Sequence, residues 1–112
     1  MTKKELEKKI WDQLATVIDP ELGIDIVNMG LVYSVTLAKT HKHQWQLEVE
    51  MTLTTAGCPL AGVIHAMVMT ALVKIDSQVL PKENIKLNLV FDPPWTPDMM
   101  SSEAKEKLKF FL

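Results

Sequence analysis

The sequence predicts an α+β fold, a two-layer αββαβα sandwich whose three-stranded sheet carries its helices on one face. Three observations lead there. Apolar residues recur at helical spacing in residues 3–18 and 59–77, and they alternate with polar ones at 31–37, 45–53 and 85–91. A helix then stands between the second and third alternating runs, so those two strands are expected to be parallel and joined by a right-handed crossover.

The elements follow in order. Thr2 with Glu5 three residues later has the form of a capping box, and Leu6, Ile10, Leu14 and Val17 continue as one helical stripe. Pro20 and Gly23 in DPELG end that helix, since a proline disfavours helical geometry in the residue before it. Leu31, Tyr33, Val35 and Leu37, then Trp45, Leu47, Val49, Met51 and Leu53, are the inward positions of two strands. Between them Ser34, Thr36, Gln46, Glu48, Glu50 and Thr52 face water. The polar stretch 39–44 makes the pair a hairpin. Pro59 suits the first turn of the second long helix, whose stripe is Leu60, Ile64, Met67, Ala71 and Ile75. Ile85, Leu87, Leu89 and Phe91 form the third inward row. The prolines of DPPWTP exclude a continued strand, and a last helix runs from 97 or 102 to 110. Placing strand one between the other two makes every neighbouring pair antiparallel, so order 2-1-3 is expected. The second helix is apolar on more than one side and needs a cover, either the C-terminal Phe110, Phe111 and Leu112 or a second copy in a homodimer.

Composition narrows the function. The 112 residues fit one domain of about 100–150 residues, so a single stand-alone domain over 1–112 is expected. Twelve basic against fourteen acidic residues, net charge −2, gives no electrostatic footprint for nucleic acid, and Gly57 and Gly62 do not make a basic GXXG loop. A single cysteine excludes internal disulfides and a self-contained CxxC metal site, and with a charged N-terminus it suggests the cytoplasm. Residues 56–73 carry no charge but include Pro59, Gly62, His65 and Thr70, which favours a buried helix over a membrane span.

Cys58 is the candidate centre of the chemistry. It precedes the first turn of the second helix, where unpaired amides favour a thiolate able to act as nucleophile or soft-metal ligand; the alternative is a buried, inert cysteine. Thr54 and Thr55 offer hydroxyls for a helix cap or a ligand. A thiol enzyme needs a base beside the sulfur, and His65 stands two helical turns on, whereas His41 and His43 belong to the hairpin turn. Asp19, Glu21 and Asp25 form an acidic cluster suited to a hard cation or a basic partner, or else simply to making a turn. Asp92, Pro93, Pro94 and Trp95 present rigid backbone and one aromatic, either a docking surface or a plug over the end of the sheet.

Three blocks, DPELGIDIVNMGLVY at 19–33, MTLTTAGCPL at 51–60 and FDPPWTPDMMS at 91–101, together resemble the iron–sulfur cluster assembly factors of the SufT and PaaD type. The resemblance spans nearly the whole chain and implies the same αββαβα fold. It further implies a non-enzymatic auxiliary factor that matures iron–sulfur proteins, with Cys58 matching the family's reactive cysteine, supported by Asp19, Glu21, Asp25, Thr54 and Thr55. An all-cysteine cluster takes four thiolates, so one cysteine per chain implies a transient cluster or iron that no monomer holds stably. Carrier or scaffold proteins and client apoproteins are the implied partners, with no nucleic acid and no membrane. An adaptor that binds no metal, docking through Pro93, Pro94 and Trp95, is the alternative.

Overall fold

Residues 2–20, 22–40, 43–54 and 61–109 are described by a computed structural model of the chain. The first helix, α1 (Lys3–Leu14), begins as expected: Thr2 is its N-cap, and the Glu5 amide donates to Thr2 Oγ1 at 3.2 Å. Leu6, Ile10 and Leu14 are fully buried along one stripe. The helix stops four residues short of the expected end because the chain finds other partners. Thr16 Oγ1 donates to the Gln13 carbonyl at 2.6 Å, and Ile18 pairs with Asp25 as an antiparallel bridge, with the Ile26 amide on the Val17 carbonyl at 2.9 Å. Carbonyls at and beyond the helix end thus find partners outside the helical ladder.

The hairpin strands are β1 (Val32–Lys39) and β2 (Trp45–Met51), antiparallel, with Val35 opposite Val49 and Leu37 opposite Leu47. Leu47, Val49 and Met51 are buried, while Gln46 and Glu48 are exposed, so the period-two reading of β2 holds. The second long helix, α2 (Ala61–Leu72), buries Ile64, Val68, Ala71 and Leu72. Its end at Leu72 rather than near Ser77 is set by Asp76, whose carboxylate accepts the Gln78 amide at 2.9 Å and whose carbonyl accepts the Leu80 amide at 2.8 Å. Such an Asx turn competes with helix continuation. The third strand, β3 (Ile85–Leu89), lies parallel to β2, as expected.

The sheet order is β1-β2-β3, which corrects the expected 2-1-3. The β2–α2–β3 crossover sets sequential strands side by side, the commoner arrangement for such a unit. Main-chain bonds fasten both ends of the parallel pair: Trp45 N–H to Val79 O at 2.9 Å and Val90 N–H to Met51 O at 2.8 Å. Burial agrees with this order, since the most completely covered apolar face belongs to the central strand. The outer face carries polar cross-strand pairs instead, Ser34 Oγ to Glu50 Oε1 at 3.1 Å and Asn88 Nδ2 to Glu48 Oε1 at 2.9 Å. On the inner side α1 packs on α2 and β1, and α2 packs on β3, giving the two expected layers.

After β3 the chain runs through a 3-10 turn (Pro97–Met99) into α3 (Ser102–Lys109), where Ser101 Oγ accepts the Ala104 amide at 3.1 Å. One inward and one outward assignment near the sheet's end are corrected. Phe91 is 43% exposed because β3 ends at Leu89, two residues before it. Thr52, expected to face water, is fully buried, since β2 ends at Met51 and the Thr52 amide is drawn to Leu31 O at 2.8 Å. The proposed cover of α2 by Phe110, Phe111 and Leu112 lies outside the described residues. Among the described residues no helix is long and apolar enough to cross a membrane.

Candidate functional site

The three strands end in one row, with Val32 opposite Met51 and Met51 opposite Leu89. Each residue of that row lies in or beside one of the three sequence blocks: Val32 within 19–33, Met51 at the start of 51–60, and Leu89 two residues before 91–101. Neighbouring strands sit about 4.8 Å apart, so the three blocks start within two strand spacings of each other. This juxtaposition depends on the corrected order. With β1 in the middle, the chain leading to Cys58 and the Pro-Pro-Trp segment would have left the sheet on opposite sides of it.

The acidic block is a sequence of caps. The Asp19 amide donates to Ile24 O at 2.9 Å, the Gly23 amide to Asp19 O at 2.8 Å and the Leu22 amide to Asp19 Oδ1 at 3.4 Å, closing a tight turn in which Gly23 takes φ +68°. Asp19 is buried there. Asp25 then starts a single helical turn: its Oδ2 accepts the Asn28 amide at 3.0 Å, its Oδ1 accepts Asn28 Nδ2 at 2.6 Å, and its carbonyl accepts the Met29 amide at 3.0 Å. The turn ends in the paired bonds of a Schellman motif, Leu31 N–H to Ile26 O and Gly30 N–H to Val27 O, both 3.1 Å, with Gly30 at φ +76°. Ile26 and Leu31, the two side chains such a motif brings together, are fully buried. Asp19 and Asp25 therefore hold the loop in shape with the very oxygens a cation would use. Asp25→Ala is expected to cost about 1 kcal/mol, the usual value of an N-cap, read as a lowered urea midpoint.

The third block is fastened onto this turn. Trp95 Nε1 donates to Met29 O at 2.7 Å, Tyr33 Oη donates to Pro93 O at 2.8 Å, and the Ser101 amide donates to Asn28 O at 2.8 Å. Trp95 is half-buried against the core, so it plugs the sheet's end, whereas Asp92, Pro93 and Pro94 on its N-terminal side are exposed. The Asp92–Pro93 bond is cis. Met99 approaches Gly30 so closely that a Cβ there would overlap the Met99 main chain.

Tyr33, Asn28, Gly30 and Met99 are structural members of this end of the sheet that sequence reasoning missed. Tyr33 reads as an ordinary inward residue, yet the β1–β2 register slips between Val32 and Ser34 and leaves Tyr33 in a bulge. A bulge re-aims a side chain. The signal available for the turn was Asp25 with Gly30 five residues later, an N-cap followed by a C-terminal glycine.

Of the remaining candidates, Thr54 is half-buried just past the end of β2. Cys58, Thr55 and Glu21 lie outside the described residues, as does His41. Among the described residues no three His, Cys, Asp or Glu side chains group as a metal site. A separate apolar groove of about 720 Å³ runs between the end of α1 and α2, lined by Val17, Val63, Ala66, Met67 and Ala71 among others.

Comparison with known proteins bears on this arrangement. A family described as iron-sulfur cluster assembly protein matches residues 7–80. The chain is 47% identical over 89 residues to the Fe-S protein maturation auxiliary factor SufT of Staphylococcus aureus, covering 80% of this chain and 92% of that one. It is 41% identical over 106 residues to the Fe-S protein maturation auxiliary factor YitW of Bacillus subtilis, covering 92% and 93%. Among solved structures, a domain of unknown function, DUF59, from Bacillus anthracis superposes with a TM-score of 0.79 at 40% identity, covering 95% of this chain and 93% of that one.

Proposed function

The chain belongs to the iron–sulfur cluster assembly protein family, and from that premise we propose that it is an auxiliary factor in the maturation of iron–sulfur proteins, with Cys58 as a transient ligand for iron or a cluster in transit. The single observation that supports this reading is the Val32–Met51–Leu89 row, where the three sequence blocks meet the same end of the sheet. The block between Thr54 and Ala61 contains the chain's only cysteine. The other two blocks are tied to each other at this end of the sheet: Trp95 bonds the Asp25–Gly30 turn at Met29, and Tyr33 bonds Pro93 of the Asp92–Pro94 segment.

Iron and sulfide are cargo in this reading. Clusters are held by four thiolates as a rule, so a chain with one cysteine holds such a cargo only together with another protein. A carrier gives up the cluster and a client apoprotein receives it, each contributing thiolates while Cys58 contributes one. Weak retention favours transfer. A chain of this kind binds and hands on and catalyses no covalent change of its own, and a lone free cysteine is at home in the reducing cytoplasm. A second copy of the chain would bring a second thiol, and light scattering of the loaded protein reads that as a dimer mass.

Anaerobic reconstitution with iron and sulfide tests the reading, followed by visible absorption of the wild type and of Cys58→Ala. The wild type is expected to develop thiolate-to-iron absorption that moves to an added apoprotein client, and Cys58→Ala to develop none. In cells, iron–sulfur client enzymes should fall, in the Cys58→Ala background, to the activity seen without the protein. Equal absorption and equal client activity in both would overturn the ligand role and leave the adaptor reading.

A further inference from the structure

The sheet has two edges, and they differ. β1 is bent by its bulge between Val32 and Ser34 and closes on Lys39, and a bulge and a terminal lysine both discourage further strand pairing. β3 has neither: its register against β2 runs unbroken from Ile85 to Leu89, and its single charge, Lys86, lies beside Glu48 of β2. We propose that the open edge of β3, together with the flank of α2 that packs on it, is an interface for a second copy of this chain, joined antiparallel about a two-fold axis through Leu87. The inference stands apart from the iron–sulfur reading, since it needs neither cargo nor thiol.

The main chain of β3 is set up for such a partner. The Val90 amide bonds Met51 O and so points toward β2. Main-chain polar groups alternate sides along a strand, so Lys86 and Asn88 also serve β2, whereas Leu87 and Leu89 turn theirs to the open edge. Among the described residues no main-chain group pairs with them there. An antiparallel strand centred on Leu87 sets Leu87 against Leu87 and Ile85 against Leu89, so outward amides meet outward carbonyls and apolar side chains meet on the inner face. On the outer face Lys86 then meets Asn88, and no like charges are opposed.

Both layers lack cover on this side. Leu87 and Leu89 are half-buried although Val49 and Met51 beside them on β2 are fully buried, and Phe91 just past the strand is 43% exposed. In the helix layer the groove with Val63, Ala66 and Thr70 marks the side of α2 that faces the end of α1. The opposite flank carries His65, Met69 and Val73 at four-residue spacing, with Val73 37% exposed. An extended peptide would cover the strand edge alone. A second copy related by a two-fold axis normal to the sheet carries its own α2 on the same face and so meets both. A stable dimer takes roughly 800 Å² from each partner, more than the five residues of this strand edge offer without the helix. Charge agrees as well: Lys82 lies in the short turn before β3 and Asp92 just after the strand, both exposed, so antiparallel pairing brings Lys82 of each copy to the end where Asp92 of the other lies. Glu83, next to Lys82, lines a hollow on the outer face with Lys86 instead.

Sedimentation of the full chain across a concentration series, in reductant and without iron, tests the proposal. The wild type is expected to pass from monomer to dimer mass. Lys82→Glu sets like charges together at both ends of the strand pair and is expected to raise the dimer dissociation constant about tenfold, as is Asp92→Lys. Combining the two restores opposite charges in reversed order, and the constant should return to within about threefold of the wild type. Val73→Glu puts like charges into the helix flank and is expected to raise the constant by more than about tenfold. All three side chains are exposed, and a melting temperature for each variant shows that it folds. A chain that stays monomeric throughout overturns the proposal and leaves the edge to an extended segment of another protein. A dimer indifferent to Lys82→Glu, or one that the double variant fails to restore, overturns the β3 pairing, and one indifferent to Val73→Glu overturns the contact of both layers. Cys58→Ala should dimerise as the wild type does, so failure of the cargo reading and failure of this interface show in separate measurements.

Discussion

Gly30→Ala is expected to lower the melting temperature by about 12 °C, near 3 kcal/mol for a domain of this size. Two costs add. A side chain at φ +76° meets the penalty of left-handed geometry, about 1–2 kcal/mol. The new Cβ would also overlap the carbonyl of Met99, which is main chain and cannot turn aside as a flexible side chain would, adding the roughly 1–3 kcal/mol typical of overpacking. Gly23 separates the two. It has nearly the same φ, +68°, yet nothing lies within 4 Å of a Cβ there, so Gly23→Ala should cost only the dihedral part, about 1 kcal/mol. Equal melting temperatures for the two variants would show that the close approach of Met99 contributes nothing. Since Gly30 also ends the Schellman turn, its loss should loosen the Trp95 and Ser101 ties to Met29 and Asn28 in the same step.

Met51→Ala is the second large effect. Met51 is fully buried at the centre of the last row, between Val32 and Leu89, where neither neighbouring strand can close inward without giving up its ladder. A large-to-small change at such a site costs about 2–5 kcal/mol, and the upper half is expected here because collapse is opposed on both sides. Urea unfolding gives the test: the midpoint should fall with little change in slope. A loss under about 1 kcal/mol would mean that the row repacks around the deletion.

Much of the fold was legible because local chemistry and tertiary packing agree in it. Thr2 with Glu5, the Leu6, Ile10, Leu14 stripe and the Leu47, Val49, Met51 alternation each say the same thing at both levels. Strand order was not legible, for a physical reason. Period-two alternation reports which face of a strand is covered and is silent about which strand lies beside it, and β1 and β2 both alternate. Helix ends were missed where a longer-range pairing outbid the next helical bond, as with Ile18 and Asp25, or where Asp76 turned its own carboxylate onto the chain. Thr52 and Phe91 were assigned by extending a period past the point where the ladder stops.

The candidate site divides in the same way. Its blocks were visible as strings, and Asp25 and Gly30 carried readable caps. What joins the blocks is the register of three strands, and the bulge that aims Tyr33 is a property of two paired strands that neither sequence shows alone. Cys58 was singled out by its place before the second helix and lies outside the described residues, whereas Tyr33 needed coordinates.

The parallel pairing of β2 with β3 also sets an order of events in time. The β1–β2 hairpin closes over a short turn and can form early, but β3 reaches β2 only after all of α2 has been traversed, and contacts of such separation form late because the loop must lose its freedom first. On a nascent or partly folded chain Met51 is thus present before its partner Leu89 is in place. The row where the three blocks meet is completed by the last strand, so that end of the sheet takes its shape only when folding is nearly finished.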